Sequence, residues 1–248
     1  MSDFQSILQE RRQSYAKKPT LRVLYDRWHQ WMISCLAASG KPTLELGGGG
    51  GHLKEYQPKT ISTDILWCEW LDAVIDAHFL PFTRDSVGNI MMFDVLHHLA
   101  SPALFFEEAL HVLEPGGRII MVEPYISPVS WCVYSFFHQE EVILSANPFA
   151  KPTQEELQKD PFYGNEAIPT LIFWKHRQQF EQQFPQFSVL QQKRFAFFAY
   201  PLSGGFKWWS LLPAALALPL TKLEEKMGWL GGCLAFRCCV VIEKRKLL

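Results

Sequence analysis

Residues 21–38, LRVLYDRWHQWMISCLAA, place Leu21, Leu24, Tyr25, Trp28, Trp31, Met32 and Cys35 on one face at helical spacing, and Gly40 and Pro42 end the segment. The period then changes. PTLELG (42–47) predicts a short strand, KTISTDIL (59–66) a second, and DAVIDAHF (72–79) a third that Pro81 closes. VGNIMMFDVL (87–96) is almost continuously apolar, as expected of a strand buried on both faces of a sheet. SPALFFEEALHVLEPGG (101–117) returns to the helical period. Ser101 is its cap, Pro102 suits its first turn, Phe106, Ala109, Leu110 and Leu113 form its stripe, and Pro115–Gly117 terminate it. RIIMVEPY (118–125) is another buried strand.

This order of elements predicts an α/β fold with a mostly parallel sheet. Beyond Tyr125 the pattern loosens into an aromatic segment (129–145), a proline-rich linker (147–169), a helix (170–183), a strand (187–198) and a last strand, LAFRCCVVIEK (234–244). No repeat and no second independent domain is evident, so residues 1–248 are expected to form one domain. Its substrate-side part, about 126–248, is an elaboration on the core.

Composition narrows the class. The chain has 248 residues, 48% of them apolar and 20% charged, which describes a core-forming globular protein. A net charge of −1 without a long basic run gives no reason to expect a nucleic-acid partner. The first nineteen residues are charged throughout and lack the apolar core of a signal peptide. The six cysteines contain no C-x-x-C pair, and adjacent Cys238 and Cys239 on a strand point to opposite faces. A reduced, cytoplasmic protein with no metal site is the expectation.

The stretch ELGGGGG (45–51) places five glycines directly after the first strand. A strand running into glycines brings backbone N–H groups against a nucleotide-like ligand. The dinucleotide spacing G-x-G-x-x-G fails, because its third position falls on His52 or Leu53. The spacing acid-x-G-x-G-x-G is met by Glu45, Gly47, Gly49 and Gly51, which leaves Gly48 and Gly50 as tolerated fillers.

That register resembles the first motif of class I S-adenosylmethionine (SAM) dependent methyltransferases. DAHFLPF (76–82) is similar to the family's D-A-x-x-L-P-F signature, and FDVLHHL (93–99) followed by LEPGGRIIMVEP (113–124) resembles its fourth strand, helix and fifth strand. The resemblance covers roughly residues 42–125. It implies a Rossmann-like, seven-stranded sheet with helices on both faces and an antiparallel last strand, with a SAM-binding core over about 20–125. It further implies SAM contacts from Glu45 and the glycines on the methionine side, Asp64 on the ribose hydroxyls, Asp76 by the adenine amino group, Ile65, Ala77 and Phe79 against the ring, and Phe93 and Asp94 at the end of strand four, where Asp94 either meets the methionine amino group or bonds to the chain around Gly47. The family often fits a full helix between the second and third acids, whereas ILWCEWL (65–71) allows about a turn; Trp67 or Trp70 is the expected substitute wall.

Candidate catalytic groups follow from position. His98, of the tandem His97–His98, is a candidate general base, and Glu123 and Tyr125 end the fifth strand where acceptors sit. His138 and the pair Glu140–Glu141 are further candidates. Methyl transfer to a nucleophile needs a base chiefly when the acceptor is a hydroxyl. The acceptor is expected to be a small or lipid-linked molecule. The apolar run WWSLLPAALALPL (208–220) is too short and too proline-broken to span a bilayer. Three readings stand for 206–220: core, a lid over an apolar acceptor, or a peripheral membrane contact with Lys207 and Lys222 at its edges. Two other functions stay open, a catalytically idle SAM-fold protein binding a partner through the apolar C-terminal face, and an NAD-dependent oxidoreductase.

Overall fold

The computed structural model describes residues 3–137, 140–153, 157, 160 and 162–246. Two helices, α1 (Asp3–Lys17) and α2 (Pro19–Ser34), precede the sheet. Its strands are β1 (Thr43–Leu46), β2 (Ile61–Asp64), β3 (Ala73–Val74), β4 (Val87–Phe93), β5 (Leu113–Pro124), β6 (Phe187–Phe195) and β7 (Arg237–Lys244). They lie in the order β3-β2-β1-β4-β5-β7-β6. The first five run parallel, and β7 is antiparallel to both β5 and β6. The expected Rossmann-like sheet is therefore present, with its antiparallel closing strand.

The continuous apolar runs work because alternate residues serve two cores. Ile90 and Met92 of β4, Ile119 and Met121 of β5, and Val240 and Ile242 of β7 join α3 (Pro102–Val112) through Phe106 and Ala109. Met91, Ile120, Val122, Cys239 and Val241 face the other way, onto Met32 of α2. Cys238 and Cys239 do point to opposite sides, and all six cysteines are free. Ser101 caps α3 as its sequence predicts, its hydroxyl accepting from Leu104 N–H at 3.3 Å.

Several elements differ from expectation. The charged N-terminal stretch is helical and buries Leu8 and Tyr15. The third strand shrinks to two residues, because Asp76 turns back to accept the His78 N–H at 2.9 Å and ends it. β5 begins at Leu113, ahead of the expected terminator; Gly116 takes φ +87° and the chain passes through a register shift before Arg118 pairs with Asn89. In the C-terminal half, α4 (Pro128–Phe137) is followed by a short helical turn α5 (Ile168–Thr170), a π-turn over Leu171–Lys175 and α6 (Arg177–Gln183). After β6 come α7 (Ala199–Ser203), α8 (Ala214–Lys226) and α9 (Gly231–Leu234). His138 lies outside the described residues.

Candidate functional site

A cavity of about 550 Å³ opens at the carboxyl ends of β1, β2 and β4, where ligands of open α/β sheets bind. Its floor is the loop that leaves β1. Gly47 (φ +69°), Gly49 (φ +41°) and Gly51 (φ +70°) all occupy the left-handed region, which a side chain disfavours. Each has a different reason to be bare. A Cβ on Gly47 would collide with Val95, the residue that carries the chain out of β4. One on Gly51 would fall 2.5 Å from the Trp70 ring and 2.9 Å from Arg12. Those two side chains buttress the loop from outside: Trp70 Nε1 donates to Gly49 O at 2.8 Å, Arg12 donates to Gly50 O at 2.6 Å, and the guanidinium lies 4.7 Å from the Trp70 ring centroid. A Cβ on Gly49 would meet nothing closer than 3.8 Å, and the residue lines the cavity.

The filler role expected of Gly48 is not what the structure shows. Its N–H donates to Thr63 O at 2.7 Å, and a Cβ there would lie 2.5 Å from Ser62 Oγ and 3.0 Å from Glu45 Oε2. Gly50 is looser, since a Cβ would meet only the His52 ring.

Carboxylates rim this floor in strand order. Glu45 is buried at the end of β1, where its carboxylate accepts from the Ser62 hydroxyl, and burial pushes its pKa up to about 7. Asp64, at the end of β2, accepts from Gly49 N–H at 2.9 Å and Leu66 N–H at 3.0 Å. One lone pair on each oxygen stays available for a further donor. Burial raises its pKa against those N–H bonds. Asp76 is partly exposed and bonds the His78 ring at 2.7 Å; burial would raise its carboxyl, but the His78 ring and N–H together hold it below the usual range.

Asp94, one residue past β4, takes φ +56° and donates its own N–H to Val122 O at 3.0 Å. Its carboxylate is gripped by both terminal nitrogens of buried Arg237, one at 2.8 Å. The Arg237 guanidinium also lies 4.5 Å from the Tyr200 ring centroid. This pair spans 143 positions of sequence and joins the end of β4 to β7.

The tandem histidines divide. His97 is buried with Glu123 on Nδ1 at 2.7 Å and Glu140 on Nε2 at 3.2 Å. Burial alone would lower its pKa, but the two carboxylates raise it well above the ordinary value, so it is a cation held between acids. His98 is pushed down to about 4 by burial and by charged His97, so it is a neutral imidazole. It lines the cavity, and its Nδ1 has no hydrogen-bond partner.

Of the residues expected to bind the cofactor, Glu45, Gly47, Gly49, Asp64, Ile65, Asp76, Ala77, Phe93 and Asp94 line this one cavity, and so does His98. Gly51 stands behind the loop. Glu123 and Tyr125 are not placed for contact with a bound molecule. The Glu123 carboxylate is consumed by His97 and by the N–H groups of Val95 and Leu96 at 2.9 and 2.8 Å. Tyr125 packs against Trp174 and Phe197 in a separate cluster. Nor do Trp67 and Trp70 wall the cavity: Trp67 is 63% exposed and Trp70 supports the glycine loop.

The walls that sequence reading missed come from the two ends of the chain order. Leu8 and Arg11 of α1 and Tyr25 and His29 of α2 close one side, with Tyr25 stacked on Phe93 at 4.8 Å. Ile143, Pro148, Phe162 and Tyr163 close another. Tyr25 Oη and His29 Nδ1 are buried without a hydrogen-bond partner. The one available signal was the i, i+4 spacing of Tyr25 and His29 on the apolar face of α2.

Comparison with known proteins agrees with this geometry. Residues 44–121 match a family model described as a methyltransferase domain. A SAM-dependent methyltransferase from Archaeoglobus fulgidus has a similar structure, with a TM-score of 0.52, 13% identity, and coverage of 91% of this chain and 94% of that one. A chain from the complex between the Haloferax volcanii Trm112 methyltransferase activator and its methyltransferase gives a TM-score of 0.51 at 16% identity, over 99% of each chain. These two show the fold. An uncharacterized 37.1 kDa protein in transposon TN4556 of Streptomyces fradiae is 45% identical over 49 residues, 20% of this chain and 14% of that protein's length.

Proposed function

We propose that this chain, a SAM-dependent methyltransferase by the domain it carries over residues 44–121, methylates a small or lipid-linked acceptor seated in the covered cavity at the sheet's carboxyl edge. The observation that carries the reading is the convergence of Glu45, Gly47 and Gly49, Asp64, Asp76 and Phe93 on one cavity. The residues fit SAM. Asp64 presents acceptor-only oxygens to a ribose diol, Glu45 a buried carboxylate to an ammonium, and Arg11 a cation to a carboxylate, while Ile65, Ala77 and Leu99 supply apolar surface for a ring.

When bound, SAM supplies a methyl group already activated on a sulfonium. The protein's part is to bind, orient and exclude water. Alignment of two reactants alone removes a large share of the barrier, and Ile143, Pro148, Phe162 and Tyr163 border the cavity to that end. For a hydroxyl acceptor, His98 is the candidate proton acceptor by its place in the cavity wall, although burial and charged His97 hold its pKa near 4 and make it a weak base. Glu123 acts one step back: it orients the turn over Leu96–His98 through Val95 N–H and Leu96 N–H and holds the His97 ring. Residues 1–248 act as one unit, with α1 contributing to the core assigned to about 20–125.

The unpartnered polar atoms of Tyr25, His29 and His98 favour an enzyme over an idle fold. Buried polar atoms without partners are costly, and all three belong to cavity-lining residues that a bound acceptor would satisfy. Calorimetry with S-adenosylhomocysteine, SAM and NAD tests the cofactor. The expected result is binding of the first two, weakened about tenfold by Asp64→Asn through loss of a charged hydrogen-bond acceptor. Binding of NAD alone overturns the reading.

A further inference from the structure

Most of the apolar run after β6 is neither core nor cavity wall. Phe206 lines the cavity, and Leu212 and Ala217 pack onto Leu21 and Leu24 of α2. The other side of the segment is bare. Trp208 is 95% exposed, Leu211 73%, Leu216 55%, Leu223 54% and Trp229 81%. At 100° per residue Leu216, Pro219 and Leu223 form one stripe along α8, and Lys222 and Lys226 flank it on the same exposed side. Trp208 precedes the helix and Trp229 follows it. An exposed apolar stripe with exposed tryptophans in the segments on either side of it marks an interaction site.

Charge identifies the partner. Between residues 196 and 232 the only acids are Glu224 and Glu225. Glu224 is buried, its carboxylate accepting the N–H groups of Phe197, Phe198 and Ala199. Glu225 is paired with Arg27. Lys207, Lys222 and Lys226 are exposed, so the face is apolar in its middle and cationic at its margins. The loop that carries Trp208 is also held in shape: the Lys18 ammonium donates to Gly205 O at 2.7 Å, Lys207 O at 2.8 Å and Trp209 O at 2.7 Å. Trp and Leu on one face with Lys beside them is the chemistry of a helix lying in a lipid interface. No described helix is long and apolar enough to cross a membrane.

We propose that the face built from Trp208, Leu211, α8 and Trp229 docks on an anionic lipid bilayer, which keeps the cavity bordered by Phe206 at the membrane surface. Docking stands apart from the methyl-transfer reading; delivery of a lipid-linked acceptor to the cavity rests on it.

Vesicle flotation of the full chain tests the docking, with phosphatidylcholine vesicles and with phosphatidylcholine vesicles carrying a minority of phosphatidylglycerol. The expected result is at least tenfold stronger binding to the anionic vesicles, weakened by salt, because each lysine near such a surface adds about fivefold. Trp208→Ser with Trp229→Ser loses about tenfold on both vesicles, and Lys222→Glu with Lys226→Glu loses the anionic preference. These side chains are exposed, so the fold survives their change; S-adenosylhomocysteine calorimetry on each variant confirms it. Wild type that stays off anionic vesicles, or binding that the tryptophan pair does not alter, overturns the docking. So does a concentration-dependent dimer by light scattering that the tryptophan variant abolishes while vesicle binding persists. Loss of S-adenosylhomocysteine binding in the wild type strikes the methyl-transfer reading alone and leaves the vesicle result standing.

Discussion

Gly48→Ala separates the structural account of the glycine run from the spacing account. Spacing makes Gly48 and Gly50 equivalent, and the structure does not. A methyl on Gly48 sits 2.5 Å from Ser62 Oγ and 3.0 Å from both Glu45 Oε2 and Leu71 Cδ2. Ser62 and Glu45 are themselves buried and bonded to each other, so neither moves without exposing a polar atom to an apolar surrounding. Overpacking of a closed site costs about 1–3 kcal/mol, and the strained hydrogen bond adds about 1 kcal/mol. Replacing glycine returns about 0.4–1 kcal/mol by stiffening the unfolded chain. The net expectation is a loss of about 2 kcal/mol. At Gly50 the obstacle is the His52 ring, which must turn at the expense of its stacking on Tyr15, and the net change is about 1 kcal/mol. Urea unfolding of both variants reads the difference directly. Calorimetry with S-adenosylhomocysteine reads its consequence, about a tenfold weaker complex for Gly48→Ala as Glu45 is displaced. A Gly48→Ala protein that unfolds at the wild-type urea midpoint, or a Gly50→Ala protein that is the weaker of the two, refutes the reasoning.

Two further outcomes follow from buried charges. Glu45 has a folded-state pKa near 7 against 4.5 for an ordinary glutamate; between those values the folded chain holds a proton that the unfolded chain has released, so the contribution of Glu45 to ligand-free stability is greatest below pH 4.5 and falls as pH rises towards 7. Glu45→Gln removes that part of the slope, roughly 3 kcal/mol across the window, as measured by urea midpoints at successive pH values. Lys18→Met deprives three carbonyls of the 205–209 loop of their donor; trypsin cleavage after Lys207 is expected to accelerate severalfold without loss of helix content, and an unchanged cleavage rate would count against the pinning role.

How much of this was legible beforehand depends on the range of the interaction. The alternation of Ile90, Met91 and Met92, or of Ile119, Ile120 and Met121, is a local code, and the two cores it predicts are present. The Ser101 cap is likewise settled within three residues. The carboxyl ends of β1, β2 and β4 could be located by the same means, which brought Glu45, Asp64 and Phe93 into one cavity. What the pattern concealed is set by partners far along the chain. Arg12 and Trp70 reach the glycine loop across 38 and 21 residues, so Gly51 reads as a ligand contact in sequence and is a socket for two side chains in space. Tandem His97 and His98 are chemically identical in sequence. They become a cation and a neutral ring because Glu123 and Glu140 each bond a ring nitrogen of the first, whereas the second has Glu140 at 3.9 Å from its Nε2 and faces charged His97.

Asp94 shows how such a distant partner redistributes function within the site. As the acid at the end of strand four it was expected to meet the cofactor or the chain around Gly47. Instead both carboxylate oxygens carry Arg237 N–H groups, and Arg237 is buried beneath Tyr200 and beside Trp28 and Phe93. Releasing Asp94 to a ligand would strand a buried guanidinium, and breaking a buried pair costs about 3–5 kcal/mol. The same pairing holds Asp94 at φ +56°, a backbone state that an L-residue adopts at a cost of about 1–2 kcal/mol, and that bend turns Phe93 and Val95 towards the cavity. Asp94 thus shapes the site through its backbone, and its charge is balanced by Arg237 of β7. An ammonium entering beside the glycine loop also meets Glu45, which has no cationic side chain bonded to it among the described residues and whose ionisation near pH 7 an arriving cation would favour. Affinity for S-adenosylhomocysteine should therefore fall as pH drops below 7, and a Glu45→Gln protein should bind more weakly but with a flat profile. A wild-type affinity that stays constant from pH 8 to pH 6 would move the ammonium contact elsewhere.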